Sequence, residues 1–273
     1  IPVPVDCNFG DWNMDIEKLK KKITKKTKAI IVVHIYGLAS DIKEIIKLKK
    51  KFSFKIIEDA AEAMGLKYYD NKYCGYYGDI TTFSFYANKH ITTGEGGMIL
   101  TNEKKIAEKC KSIINLFFST PRFIHKEIGS NHRYTNIQAA VGLAQYEKLK
   151  QTIKRKIEIG KLYQNSFKVL KNVFLPQVNN KFSKNIYWVY GLVLNKSNKF
   201  NRDEICDKLF RKGIETRPFF WPIHKQPIFK KFGKEILKNS EYLSKNGFYL
   251  PSGTALKNKE IRYIINEVKK IIK

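Results

Sequence analysis

Residues 81–97 read TTFSFYANKHITTGEGG and place one amine, Lys89, between a β-prone run and a glycine-rich turn. A lysine there is placed to meet a ligand, because the strand fixes the base of the loop while its tip stays adaptable. Two carboxylates, Asp59 and Glu62 in EDAAEAMG, follow another apolar run, FKII. A polar cluster, GSNHRYTN, carries Asn131 and Arg133. Each has a plainer explanation as well. The chain holds 52 Lys and Arg, most of them solvated charges, and an aspartate at a strand end also serves as a helix cap.

The elements that must position these groups are legible from patterning. AIIVVHI and FKIIE are continuous apolar runs, which suit strands buried on both faces. Asp41 caps a helix predicted to reach about Lys51. Strands are predicted over Ile1–Cys7, Ile80–Phe85 and Met98–Thr101. Helices are predicted over Ile16–Ile23, Lys104–Asn115 and Ile137–Leu149, the last capped by Thr135-Asn136, and again from Thr152 to Leu170. Alternating strands and helices predict an α/β domain with a mainly parallel sheet, in which ligands bind outside the carboxyl ends of the strands. Asp59, Glu62 and Lys89 all fall there. The last hundred residues change character. They predict a strand over Ile186–Leu194, with Trp188 and Tyr190 assigned to the core, and a capped helix over Asn201–Lys212. The aromatic, proline-dense run RPFFWPIHKQP follows, and a helix over Lys257–Lys273 closes a small α+β domain. The domains are expected at 1–155 and 156–273.

Composition narrows the class. The chain has 273 residues, 43% hydrophobic, and is globular. It has no apolar run of the roughly 18 residues that a membrane span needs. A net charge of +27 invites nucleic acid as a partner. Of the 52 basic residues 45 are lysines, and they are spread over the whole chain, so no specific nucleic-acid partner is expected. Four scattered cysteines form no Cys-x-x-Cys pair, so no metal is expected and a reducing, cytoplasmic setting fits. The residues alone leave two classes open: an enzyme built around Lys89, or a non-catalytic or basic binding module.

EDAAEAMG, GDITTFSFYANKHITTGEGGMI and GSNHRYTNIQAAVGLAQ, in that order, resemble the three signature regions of the pyridoxal-phosphate-dependent sugar aminotransferases of the DegT/DnrJ/EryC1/StrS family. The likeness runs from about Val3 to the C-terminus. Segments 118–147 and 215–229 look most like the branch that acts on a GDP-linked sugar. The resemblance implies the aspartate aminotransferase-like fold type I. It implies Lys89 as the Schiff-base lysine and proton carrier, Asp59 on the pyridine nitrogen, Glu62 on the ring hydroxyl and Ser84 on the phosphate. Asn131 would reach the cofactor of a neighbouring subunit, which implies a homodimer with shared sites. Arg133, Arg217 and His224 would face substrate. Glutamate is the implied amino donor and a nucleotide-linked 4-keto-6-deoxy sugar the acceptor. Related sugar 3-dehydratases carry His in place of the Schiff-base lysine; here Lys89 holds that position and His90 follows it.

Family members carry a segment ahead of the counterpart of Val3–Cys7, with a phosphate-binding loop at a helix N-terminus and an aromatic residue that stacks on the cofactor. These 273 residues lack it, so they are expected to hold the cofactor weakly. An absorbance titration checks this; tight, stoichiometric binding would contradict it.

Overall fold

The computed structural model describes residues 1–232 and 235–272. Its first sheet has the order β1-β2-β3-β4, built from Ala29–Val33 (β1), Lys55–Asp59 (β2), Ile80–Ser84 (β3) and Gly97–Leu100 (β4). The first three strands are parallel and β4 returns antiparallel to β3, with Ser84 opposite Gly97. Residues 85–96, which carry Lys89, are therefore the connection of one hairpin. Helix α1 (Ile16–Lys22) is capped by Asp15, and α2 (Ile42–Phe52) by Asp41, which accepts from the Glu44 N–H. Ile30, Val32, Ile45, Phe54 and Ile56 form the core between β1, β2 and α2.

Helix α3 (Lys104–Ile114) buries none of its residues, although Ile106, Cys110, Ile113 and Ile114 mark an apolar side. Helix α4 (Asn136–Glu147) starts at a capping box in which Thr135 and Gln138 satisfy each other's backbone N–H groups. Helix α5 (Leu149–Phe167) follows after a single residue, Lys148, and crosses the expected boundary at 155. Its early residues Ile153 and Ile157 pack on the first core, and Ile159, Tyr163 and Phe167 on the second.

The second sheet, β5-β6-β8-β7, is antiparallel throughout: Val173–Phe174 (β5), Tyr190–Leu194 (β6), Arg217–Pro218 (β7) and Gly247–Leu250 (β8). Helices α6 (Arg202–Phe210), α7 (Lys238–Asn246) and α8 (Asn258–Ile271) accompany it. Asn201 and Glu204 close a capping box on α6, and α8 buries Ile261, Ile264, Ile265 and Val268. A third cluster joins the two sheets through Trp12, Tyr36, Trp188, Val189 and Phe219.

Three expectations are corrected. β1, expected to be buried on both faces, buries alternate residues only: Ile30 and Val32 are buried, whereas Ile31 between them is exposed. Ile1–Cys7 forms no strand; a lone bridge joins Cys7 to Met14, and Pro2 and Pro4 lack the N–H groups that a ladder needs. The strand expected over Ile186–Leu194 begins only at Tyr190, because residues 186–188 cross close to Gly37 and leave the ladder, with the Ile186 N–H on the Gly37 carbonyl.

Gly160 lies in α5 where a Cβ would meet the Tyr187 ring at 2.4 Å. Gly→Ala in a helix normally gains about 1 kcal/mol, but overpacking costs about 1–3 kcal/mol. Gly160→Ala is therefore expected to lower stability by about 1 kcal/mol and Tm by about 2–4 °C; a thermal melt checks it, and a higher Tm would contradict the contact.

Candidate active site

The polar groups gather at the carboxyl ends of the parallel strands. β1 leads to His34 and Tyr36, β2 ends on Asp59 with Glu62 just beyond, and β3 ends on Ser84, five residues before Lys89. Asp59 caps no helix, because none follows it; its Oδ1 accepts the Ala61 N–H at 3.1 Å in a tight turn. The Ser84 Oγ takes the Tyr86 N–H at 3.3 Å, and the Lys89 N–H closes a turn on the Tyr86 carbonyl at 3.0 Å.

Lys89 Nζ lies 4.0 Å from Glu62 Oε1 and 4.0 Å from the ring centre of Trp188. Its side chain is 12% exposed. The other Glu62 oxygen accepts the Tyr36 N–H at 2.7 Å. Attraction across 4.0 Å favours both charged forms, whereas burial favours both neutral ones. Burial wins on each side. It pushes Lys89 below its usual value, against the pull of Glu62 and Asp59. It pushes Glu62 up to about 7, against the Tyr36 N–H and the Lys89 charge.

Glu58, next to Asp59 on β2, points the other way and is fully buried. Its carboxylate meets His34 Nε2 at 2.9 Å, the Tyr68 hydroxyl at 3.2 Å, and the N–H groups of Gly75, Tyr77 and Gly78. The Ser40 N–H donates to His34 Nδ1 at 3.1 Å, so the ring proton is on Nε2 and donates to Glu58. Burial pushes Glu58 up, but His34 and the backbone donors outweigh it and hold the carboxyl below its usual value. The His34 N–H meets the Asp59 carbonyl at 3.2 Å, so this network also fixes the backbone that carries Asp59.

A cavity of about 490 Å³ opens beside Lys89. The first sheet's loop contributes Asn88, Lys89 and His90, the second sheet contributes Arg217 and Tyr249, and Trp188 comes from the segment just before β6. Arg217 faces Tyr249 across the β7–β8 ladder and pairs with Glu215. Lys89 and Arg217 thus line one cavity, and Glu62 stands 4.0 Å from Lys89, but Asp59, Glu62 and Ser84 are not among the lining residues. Asn131 and Arg133 are exposed, joined by a 2.9 Å hydrogen bond, and do not line this cavity. His224, expected to face substrate, lies elsewhere in this structure. It is buried against Glu241, at 2.9 Å, and is not among the cavity residues; the 3-10 turns at 223–232 fold its ring inward.

Two residues of the wall escaped the sequence reading. Trp188, assigned to the core, is only 3% exposed yet lines the cavity over Lys89. Nothing local distinguishes it from the core aromatics around it. Lys156 is buried and donates to the Ser252 carbonyl at 2.7 Å and its hydroxyl at 3.0 Å; burial pushes it down to about 7. Here a signal existed, since Lys156 stands in the apolar stripe Ile153–Lys156–Gly160–Tyr163–Phe167.

Pyridoxal phosphate asks for an amine at its aldehyde, a carboxylate at its ring nitrogen and donors at its phosphate. Lys89, Asp59 and Ser84, at or just beyond the ends of neighbouring strands, supply these types, and burial pushes Lys89 toward its neutral form, so the residues present fit that group.

The profile of the DegT/DnrJ/EryC1/StrS aminotransferase family matches residues 1–269. The chain is 40% identical over 272 residues to the GDP-perosamine synthase of Escherichia coli O157:H7, covering 98% of this chain and 72% of that one. It is 33% identical over 272 residues to EpsN of Bacillus subtilis, a putative pyridoxal phosphate-dependent aminotransferase, covering 95% and 69%. The structure superposes on Helicobacter pylori PseC, an aminotransferase involved in the biosynthesis of pseudoaminic acid, with a TM-score of 0.92 at 29% identity, covering 100% and 74%.

The raised Glu62 has a stability consequence. A carboxyl with a folded value near 7 favours folding below its ordinary value of 4.5 and loses that contribution as pH rises through about 7. Glu62→Gln, which keeps an acceptor for the Tyr36 N–H, is expected to be less destabilising at pH 8 than at pH 5, by about 2–3 kcal/mol. Denaturant titrations at the two pH values check this; equal effects would contradict it.

Proposed function

The chain belongs to the DegT/DnrJ/EryC1/StrS aminotransferase family, and we propose that it moves the amino group of glutamate onto the keto carbon of a nucleotide-linked 4-keto-6-deoxy sugar. It is a pyridoxal-phosphate-dependent sugar aminotransferase. The likeness to a GDP-perosamine synthase favours a GDP-linked sugar and a place in the making of a surface polysaccharide. The observation that carries the reading is the buried amine of Lys89, 4.0 Å from Glu62, in a cavity that Arg217 also lines.

When bound, pyridoxal phosphate supplies an aldehyde and a ring that draws electrons from the reacting carbon. The residues do the rest. Lys89 Nζ would hold the aldehyde and, when free, would carry a proton at the substrate carbon; an amine depressed by burial suits both tasks. Asp59 would hold a proton on the ring nitrogen through a charge-assisted hydrogen bond. Glu62 would accept from the ring hydroxyl, and Ser84 would donate to the phosphate. Arg217, at the edge of the second sheet, offers its fork to the substrate's carboxylate or phosphates. Trp188 and Tyr249 exclude water from that side.

We read the active unit as a homodimer. Asn131 and Arg133 are exposed outside the cavity of their own chain, and Ile137, Val141 and Leu143 of the adjoining α4 are exposed as well. In a dimer Asn131 would donate to the partner's cofactor phosphate and Arg133 would face the partner's substrate.

The test is an amination assay on the protein expressed from its complete reading frame, with glutamate and GDP-linked 4-keto-6-deoxy sugar. Lys89→Ala is expected to lose about 10³-fold or more in turnover. Asn131→Ala weakens the cofactor, and mixing the two variants restores part of the activity, because a mixed dimer has one intact site. Wild-type turnover in Lys89→Ala would overturn the role of Lys89, and failure of the mixture to regain activity would overturn the shared site.

A further inference from the structure

Lys89 Nζ makes no hydrogen bond among the described residues, although its side chain is nearly buried. Its two neighbours both lie at 4.0 Å: a carboxylate oxygen of Glu62 and the face of Trp188. A buried ammonium without hydrogen bonds needs a compensating partner, and an indole face is the best aromatic one. The indole is not free to turn. Its N–H donates to the carbonyl of Asn88, the residue before Lys89, at 3.1 Å. Lysine backbone and indole ring are thereby tied to one another from opposite sides of the same contact.

The backbone is bent to put the ring there. Tyr187, just before Trp188, has φ +52°, and Tyr36 has φ +54°. Both are bulky residues in a region that such residues rarely enter, and strain of this kind concentrates at working sites. Between them Gly37, at φ +92°, lets residues 187 and 188 come close: a Cβ there would stand 2.7 Å from the Trp188 nitrogen. Tyr36 and Phe220 then stack on the indole, with centroids at 6.1 and 6.3 Å. Trp188 is therefore clamped by its edge, its backbone and its neighbours, and one of its faces is turned to Lys89.

We propose that Trp188 is a positioning residue for Lys89: its indole face is the berth on which the free ammonium rests between the steps in which that amine reacts. The role rests on the reading of Lys89 given above and adds to it. An ion pair at 4.0 Å and a π face hold the nitrogen without directional bonds, so it leaves toward a carbonyl without breaking one. The berth favours the charged form of Lys89, whereas burial favours the neutral form. The other titratable groups around this space are Glu62, Asp59, Tyr36, His90, Lys156, Glu215, Tyr249 and Arg217, and they are common to every variant below.

The experiment measures capture of pyridoxal phosphate at Lys89, by absorbance, against pH in Trp188→Phe and Trp188→Leu. Removing the face is expected to raise the acid constant of the Lys89 ammonium about tenfold in the Leu variant and less in the Phe variant, moving the midpoint of capture to lower pH. A merely structural role predicts the opposite sign, since a looser, wetter site favours the charged amine. A midpoint unchanged or raised in Trp188→Leu overturns the proposal. A second measurement leaves Trp188 in place and uses the chain without cofactor. Tryptophan emission is expected to change as Lys89 titrates, and Lys89→Met to remove that step. The same emission-against-pH curve in both chains overturns the berth. Capture is measured on the protein expressed from its complete reading frame; if that protein captures no pyridoxal phosphate, the reading of Lys89 fails, and the emission curve still decides the berth.

Discussion

Lys89 enters the site with its ammonium 4.0 Å from Glu62, in a place that water hardly reaches. Two charges at that distance attract by about 4 kcal/mol at an effective dielectric of 20. Burial nevertheless leaves Lys89 below and Glu62 above their ordinary values. Everything larger in the structure serves that dryness. The first sheet supplies the amine and the carboxylates, and it cannot enclose them alone. The second sheet brings Arg217 and Tyr249, and the segment leading into it brings Trp188, against the opening, and the aromatic cluster of Trp12, Tyr36, Trp188 and Phe219 seals the join. The chemistry asks for an amine that gives up its proton more readily than a free lysine, and burial between the two units pushes Lys89 that way.

Neighbouring carboxylates on one strand show how far environment separates like groups. Glu58 and Asp59 differ by one residue, and strand alternation sends them to opposite faces. Glu58 disappears into the protein and is held by His34, Tyr68 and three backbone N–H groups. A buried charge without such partners would cost several kcal/mol. Asp59 stays at the rim with one local hydrogen bond, its second oxygen available to a ligand. Glu58 fixes the strand end and Asp59 uses it.

The sequence showed the first sheet well. Its apolar runs and the caps at Asp41 and Thr135 fell where the structure has them, because local patterning determines both. Asp59, Glu62, Ser84 and Lys89 were visible for the same reason: each follows the end of a strand. What was hidden depends on tertiary approach. Residues 1–7 looked like a strand, but only Cys7 makes a bridge, to Met14, and Pro2 and Pro4 lack the N–H groups that a ladder needs. Trp188 looked like core and is core on one face only, and which face is open depends on Lys89, about a hundred residues away. His224 lay in a loop expected to reach substrate, and its ring turned inward to Glu241. Lys156 could have been found, as a lysine in an apolar helical stripe.

The account rests on one amine among 45 lysines acting as the covalent holder of the cofactor. Reductive trapping with borohydride in the presence of pyridoxal phosphate, followed by peptide mapping, tests it most directly. A label on the peptide that carries Lys89, at about one per chain, is the result expected. A label spread over surface lysines, or concentrated on another lysine such as Lys156, would contradict it.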